Sequence, residues 1–347
     1  MPVTHTQLFS PRLETALLSA SAITLSFAMA YGFHLERPYW AGIAAMVLSQ
    51  SAQGQSLQKG LWRMAGTVLG AAAGMALIAG FGGGLISLLA AYGIALVLSI
   101  MLMQGSSYSY FYYSTALMAV LVGAQSHGEA PFYIAAARMQ ENLVGIAAYT
   151  LCALCLRPSA TSQELDGLSG FGQGFWQELR QTPRLLLSRL SVGAKGLAAL
   201  GAVTVVWQIL YPPGTGSTLF VEIAALLVLL GFMTGRFAAW VLLFAMAAGV
   251  TVSLWLYVNV LPVLDGFIQL GMVIFGLSFL MAWLLPEPEQ GMARMGLLMP
   301  VFVLSGMGGE VFGPQGFLSG AVGLLCAALT VAVIFSFLAK TEDGSAA

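Results

Sequence analysis

Charge is what this chain has least of. Only 8% of its 347 residues are Asp, Glu, Lys or Arg, against about a quarter in a soluble domain. The mean hydropathy is +0.87 and the apolar share 59%. So few charges cannot dress a water-facing surface of this size, which excludes a soluble enzyme and a disordered chain. The formal net charge is −1, so no basic field exists to attract nucleic acid. Cysteine is equally scarce. Cys152, Cys155 and Cys326 all sit in apolar runs, and no disulfide framework is expected. Cys152 and Cys155 form a CxxC without His or acidic neighbours, which reads as packing in a membrane helix, not as zinc or redox chemistry. His5, His34 and His127 stand alone. No GxxxxGK[ST] and no serine-centred nucleophile elbow occurs, so neither ATP hydrolysis nor another enzyme activity is expected, and no metal or cofactor.

What is present is long apolar runs. A membrane helix needs about 20 such residues. Cutting at charges, prolines and glycine-rich turns gives spans near 14–33, 38–54, 61–81, 84–103, 108–126 and 134–156, then 193–211, 217–234, 237–258, 265–285, 293–309 and 316–339. The expected fold is an all-α, polytopic membrane bundle of about twelve spans. The spans at 38–54 and 293–309 are candidates for tilted, broken or re-entrant segments. The first apolar run lacks a small-residue cleavage site and is expected to remain as a helix. With both termini cytoplasmic, eleven of the thirteen Lys and Arg residues fall on the cytoplasmic side and only Arg37 and Arg138 on the other.

The stretch 158–192 is the one long break. Phe171, Phe175, Trp176 and Leu179 suggest a short amphipathic helix on the membrane surface, a solvated linker being the alternative. It divides the chain into a first six-helix unit, 1–157, and a second, 193–347. The halves match in hydropathy at an offset of 173–175 residues, with Arg63 answering to Arg236 and Gly145 to Gly320. An even number of spans per unit makes this a parallel repeat, as in secondary transporters that bind substrate between their halves. A duplication that now serves packing alone would look the same.

Charges inside apolar runs are expensive, and few remain. Arg138 and Glu141 lie three apart in the sixth run, share a helix face and can pair, with Asn142 beside them. They read either as a substrate or proton site or as a self-neutralised pair that orients the helix. Glu222 has no charged neighbour on its own helix and must find a partner, water or a proton, which would suit a proton carrier. Arg63 and Arg236 at helix ends read as snorkelling anchors or as anion-collecting groups at an inner mouth. Gly66, Gly70 and Gly74 make one smooth face for close helix approach. Pro38-Tyr39-Trp40 reads as an interfacial aromatic belt. Tyr108, Tyr110, Phe111, Tyr112 and Tyr113 cover more than one face, so some, Tyr112 among them, are expected to point inward and stack on an aromatic substrate.

Arg37-Pro38-Tyr39-Trp40-Ala41, then Gln50, then Arg63-Met64-Ala65-Gly66-Thr67-Val68-Leu69-Gly70 resemble the fusaric acid resistance and aromatic acid exporter family over about residues 15–157. The resemblance implies proton-coupled efflux of aromatic carboxylic acids or related drugs across a bacterial inner membrane. It also implies a periplasmic adaptor of the membrane-fusion type with an outer-membrane channel. The sizeable cytoplasmic domain of larger members is missing, since about 35 residues separate the halves.

The expectation is a secondary transporter of small organic anions. Arg63, Arg236, Arg138, Asn142 and Tyr112 are its substrate-binding candidates, and Glu141 and Glu222 its proton-coupling candidates. A passive anion channel and a non-transporting scaffold subunit are the alternatives. The scaffold predicts that Arg138 and Glu141 bury a mutual pair with no cavity beside it. Partners beyond the lipid bilayer, a homo-oligomer included, are left open.

Overall fold

The computed structural model describes residues 10–50, 56–82, 89–124, 131–167, 172–210, 218–234, 239–287, 290–304 and 313–343. Among these, every regular element is helical. The first half contains α1 (Pro11–Gly32), α2 (Tyr39–Ser49), α3 (Ser56–Phe81), a π-helical turn (Ala91–Leu96) leading into α4 (Val97–Met103), α5 (Ser109–Ala124) and α6 (Pro131–Leu156). Two helices follow, α7 (Pro158–Gly167) and α8 (Gln173–Ser188), where one amphipathic helix was expected. The second half contains α9 (Leu190–Leu210), α10 (Thr218–Thr234), α11 (Ala239–Asn259), α12 (Phe267–Leu284), α13 (Gly291–Leu304) and α14 (Pro314–Asp343).

Every apolar run therefore holds a helix, but among the described residues seven helices have the length and hydropathy to cross a membrane: α1, α3, α6, α9, α11, α12 and α14. The chain is a multi-pass membrane protein. Helices α2, α5, α10 and α13 have 11, 16, 17 and 14 residues. At 1.5 Å per residue each falls short of a hydrocarbon core of about 30 Å. Burial explains their composition. Phe220–Leu230 of α10 is buried without a gap, as is most of α2, α5 and α13. A helix apolar all round belongs inside a bundle. The long helices instead keep large apolar side chains outside, such as Leu61, Val68 and Leu69 on α3 and Val241 and Phe244 on α11. With lipid as solvent, that outer face needs no polar dressing.

The packing of one half is mirrored in the other. α3 lies along α5, and α11 along α13; α2 packs on α6, and α10 on α14. Between the halves, α1 meets α12 and α9 meets α4, while α2 meets α13 and α10 meets α5. Glycine makes the closest of these contacts possible. A Cβ at Gly66 would lie 2.6 Å from the Phe111 carbonyl oxygen, and one at Gly74 2.9 Å from Val122 Cβ. On α11, a Cβ at Gly249 would lie 2.5 Å from the Leu297 carbonyl oxygen of α13. Gly249 follows Gly74, and Leu297 follows Val122, by the same 175 residues.

Candidate functional site

The buried charges of the first half, Arg63, Arg138 and Glu141, converge between α2, α3, α5 and α6. On α6, Arg138, Glu141 and Asn142 are spaced i, i+3, i+4 and so project from one face. Arg138 Nη1 pairs with Glu141 Oε2 at 2.5 Å. The other carboxylate oxygen accepts the backbone N–H of Arg37 at 3.1 Å. Pro38, the N-cap of α2, delivers Trp40 into the interior, where its ring lies 5.2 Å from Arg138 Cζ. Such a ring face attracts a guanidinium. Trp40 is buried and is not an exposed belt residue.

Arg63 reaches the same place from α3. Its Nε donates to Asn142 Oδ1 at 2.7 Å and its Nη1 to the Tyr110 hydroxyl at 2.9 Å. It is 5% exposed, and Arg138 and Glu141 are 3% and 0%. Arg63 is thus an interior residue and does not snorkel. Among the described residues, no carboxylate pairs with it. The two guanidinium groups face one carboxylate, so the cluster carries one surplus positive charge. Arg138 Nε and Trp40 Nε1 are buried with no acceptor.

A cavity of about 20 Å³ opens beside the pair, lined by Arg138 and Asn142 of α6, Arg63 and Thr67 of α3, Trp40 of α2 and a stripe of α5. The stripe is Tyr113, Ser114, Leu117, Met118 and Leu121, the i, i+4, i+8 face of that helix and its i+1, i+5 neighbours. Space of this size holds a water molecule and no organic anion. Tyr110 stacks on Tyr113 with ring centres 5.6 Å apart, which ties the Arg63 partner to the cavity wall.

A second aromatic group lies behind Arg63. Phe175 of α8 sits 5.0 Å from Trp62, 5.2 Å from Tyr108 and 5.0 Å from Phe111, ring centre to ring centre. Ser106 Oγ donates to Glu178 at 2.5 Å, and Arg189 Nη1 to the Met101 carbonyl at 3.0 Å, so α8 is fastened to the bundle at three points. Trp176, its neighbour, is 68% exposed.

Of the residues singled out in the sequence, Arg63, Arg138 and Asn142 meet at the cavity, with Glu141 bonded to Arg138. Tyr112 does not line it; its ring faces Phe111 and Phe175, and Tyr113 takes the lining position. Glu222 is buried on α10, away from the lining. Arg236 lies outside the described residues. Tyr113, from the aromatic cluster expected to point partly inward, lines the cavity together with Ser114 and Thr67, which are not among the expected binding residues; the helical spacing of the α5 stripe is the signal for Ser114. Among the described residues, no three His, Cys, Asp or Glu side chains are placed to hold a metal ion.

The sequence model of the fusaric acid resistance protein family matches residues 12–195. Neither a curated protein nor a solved structure matches the chain. The match runs from α1 into α9 and takes in every cavity-lining residue, over more than half of the sequence. A membrane bundle whose charged cavity lies wholly inside the matched region thus belongs to the fusaric acid resistance protein family.

Proposed function

We propose that this protein is a secondary transporter that exports small organic anions, aromatic carboxylic acids foremost, across a bacterial inner membrane in exchange for protons. The observation that carries the reading is the surplus positive charge at the cavity. Among the described residues, Arg63 is held by neutral groups and Arg138 has one carboxylate partner. A buried guanidinium without a counter-charge is costly, and a substrate carboxylate relieves that cost. Tyr113 and Trp40 offer ring faces to an aromatic body, and Leu117, Met118 and Leu121 an apolar wall.

The transport cycle follows from the size of the cavity. Room for about one water means that α2 or α5 must shift to admit an anion. A carboxylate that reaches Arg138 competes with Glu141 for the same guanidinium. Glu141 is one proton carrier of this reading, held by the guanidinium that the anion has to reach. Glu222, buried in the second half, is the other proton carrier of this reading. The mirrored packing and the shared 175-residue offset of the Gly74–Val122 and Gly249–Leu297 contacts support two parallel six-helix units, 1–157 and 193–347, around a linker. In this arrangement the chain crosses the membrane twelve times, both termini are cytoplasmic, and the short helices α2, α5, α10 and α13 form the moving seam. The cavity beside the Arg138–Glu141 pair favours transport over a scaffold, which needs no cavity. A periplasmic adaptor with an outer-membrane channel would carry the exported anion onward.

The test is flux in proteoliposomes under an imposed pH gradient, with a panel of hydroxybenzoates. Saturable movement that collapses with the gradient is expected. Absence of movement for the whole panel, or normal movement in Glu141→Gln and Glu222→Gln, sinks the mechanism.

A further inference from the structure

Arg294 is the largest fully buried side chain among the described residues, 1% exposed in the first turn of α13. The sequence places it among charges that mark a membrane face, but the side chain turns inward. Its Nε and Nη1 have no acceptor, and no carboxylate among the described residues pairs with it. Gln50, the C-cap of α2, lies against the same turn. A Cβ on Gly291 would sit 2.8 Å from Gln50 Oε1, so the carboxamide packs directly on this turn of α13. Gly291 and Arg294 are three residues apart and share that face. Gln50 Nε2 is also buried without an acceptor. The first N–H groups of a helix add further donors at such a place. The seam between α2 and α13 therefore presents N–H donors and a positive charge.

We propose that Arg294 and Gln50 form an oxyanion site on the α2–α13 seam, separate from the Arg63–Arg138 cavity. Its ligand is a carboxylate or phosphate monoanion. The guanidinium fork takes two oxygens of the anion, and the carboxamide N–H takes one of them from the side. A soluble carboxylate and the phosphate of an acidic lipid headgroup share this chemistry.

The test measures thermal stability of the full chain in an Arg138→Met/Glu141→Met background, which removes the cavity pair together. Detergent samples receive sodium benzoate or inorganic phosphate. Nanodisc samples are made of phosphatidylcholine with or without phosphatidylglycerol. The expected result is a saturable rise of about 2–4 °C in Tm in at least one arm. The rise is lost on adding Arg294→Met and shrinks with Gln50→Leu. A rise with soluble anion identifies a soluble ligand; a rise confined to phosphatidylglycerol nanodiscs identifies the headgroup. Arg294→Met removes an unpaired buried charge at similar length, so without anion its Tm equals or exceeds the parent. If that variant does not fold, Arg294→Lys keeps the charge without the fork and binds about tenfold more weakly. No rise in any arm, or a rise that every Arg294 variant retains, overturns the site. Absence of anion flux in the parent protein, with the rise retained, overturns only the transport cycle.

Discussion

Arg63 Nε and Asn142 Oδ1 meet at 2.7 Å across 79 residues of chain, and this one contact joins α3 to the charged face of α6. It also leaves Arg63 charged and unneutralised, since an amide supplies an acceptor without a counter-charge. Asn142→Leu removes the acceptor and strands a buried N–H, costing about 1–3 kcal/mol, which a lowered Tm reads. Asn142→Asp keeps the acceptor and adds the missing negative charge. That variant is expected to fold with equal or higher Tm and to lose anion flux, because the surplus charge is gone. Full flux in Asn142→Asp contradicts a role for that surplus.

The Arg138–Glu141 pair yields a different pattern. Glu141→Gln removes the counter-charge of a guanidinium 3% exposed, and breaking a buried pair in this way costs about 3–5 kcal/mol. Replacing both residues with Met removes the imbalance and restores most of the lost stability. Thermal melts of Arg138→Met, Glu141→Met and the double variant give the coupling. Additive effects would show that the two groups do not hold each other in the bilayer.

Much of this arrangement is written in local spacing. The i, i+3, i+4 placement of Arg138, Glu141 and Asn142 puts them on one face whatever the tertiary fold, and the structure pairs the first two. The glycine repeat on α3 likewise announces a close helix contact, which Gly66 and Gly74 make on α5. Arg63 was harder to read. A basic residue eight positions into a helix suits a snorkelling anchor as well as an interior site, and the choice rests on Asn142 of another helix. Trp40 and Arg294 share that ambiguity, because amphipathic side chains near a helix end can turn either way. Tyr112 and Tyr113 are neighbours on α5, and only the docking of Phe175 on one side decides which of them lines the cavity.

The linker helix α8 offers a prediction of its own. Phe175 is its apolar anchor among Trp62, Tyr108 and Phe111, while Arg180 and Arg184 on the same helix are exposed. Phe175→Ala removes the anchor and leaves the membrane helices intact. Limited trypsin digestion should cut at Arg180 or Arg184 several times faster than in the parent, at nearly unchanged Tm. An unchanged digestion rate would mean that the Glu178 and Arg189 contacts hold α8 without the ring.

Glycine substitutions separate packing from composition. Gly70 and Gly80 lie on the same helix, and adding a methyl group changes both by the same volume. A Cβ at Gly70 would collide with the Thr115 carbonyl oxygen and lie 2.8 Å from Met118 Cβ, so backbone has to move. A Cβ at Gly80 meets nothing within 4 Å. Gly70→Ala is therefore expected to pry α3 from α5 and lower Tm by many degrees, with the cavity distorted because Tyr113, Ser114 and Thr67 ride on those two helices. Gly80→Ala is expected to be neutral or slightly stabilising, since alanine is the better helix former. Gly249→Ala, pressed on the Leu297 carbonyl oxygen of α13, should repeat the Gly70 result in the second half. If Gly70→Ala and Gly80→Ala melt alike, the α3–α5 contact is looser than the geometry states. If Gly249→Ala is harmless while Gly70→Ala is not, the two halves do not depend on glycine contacts in the same way.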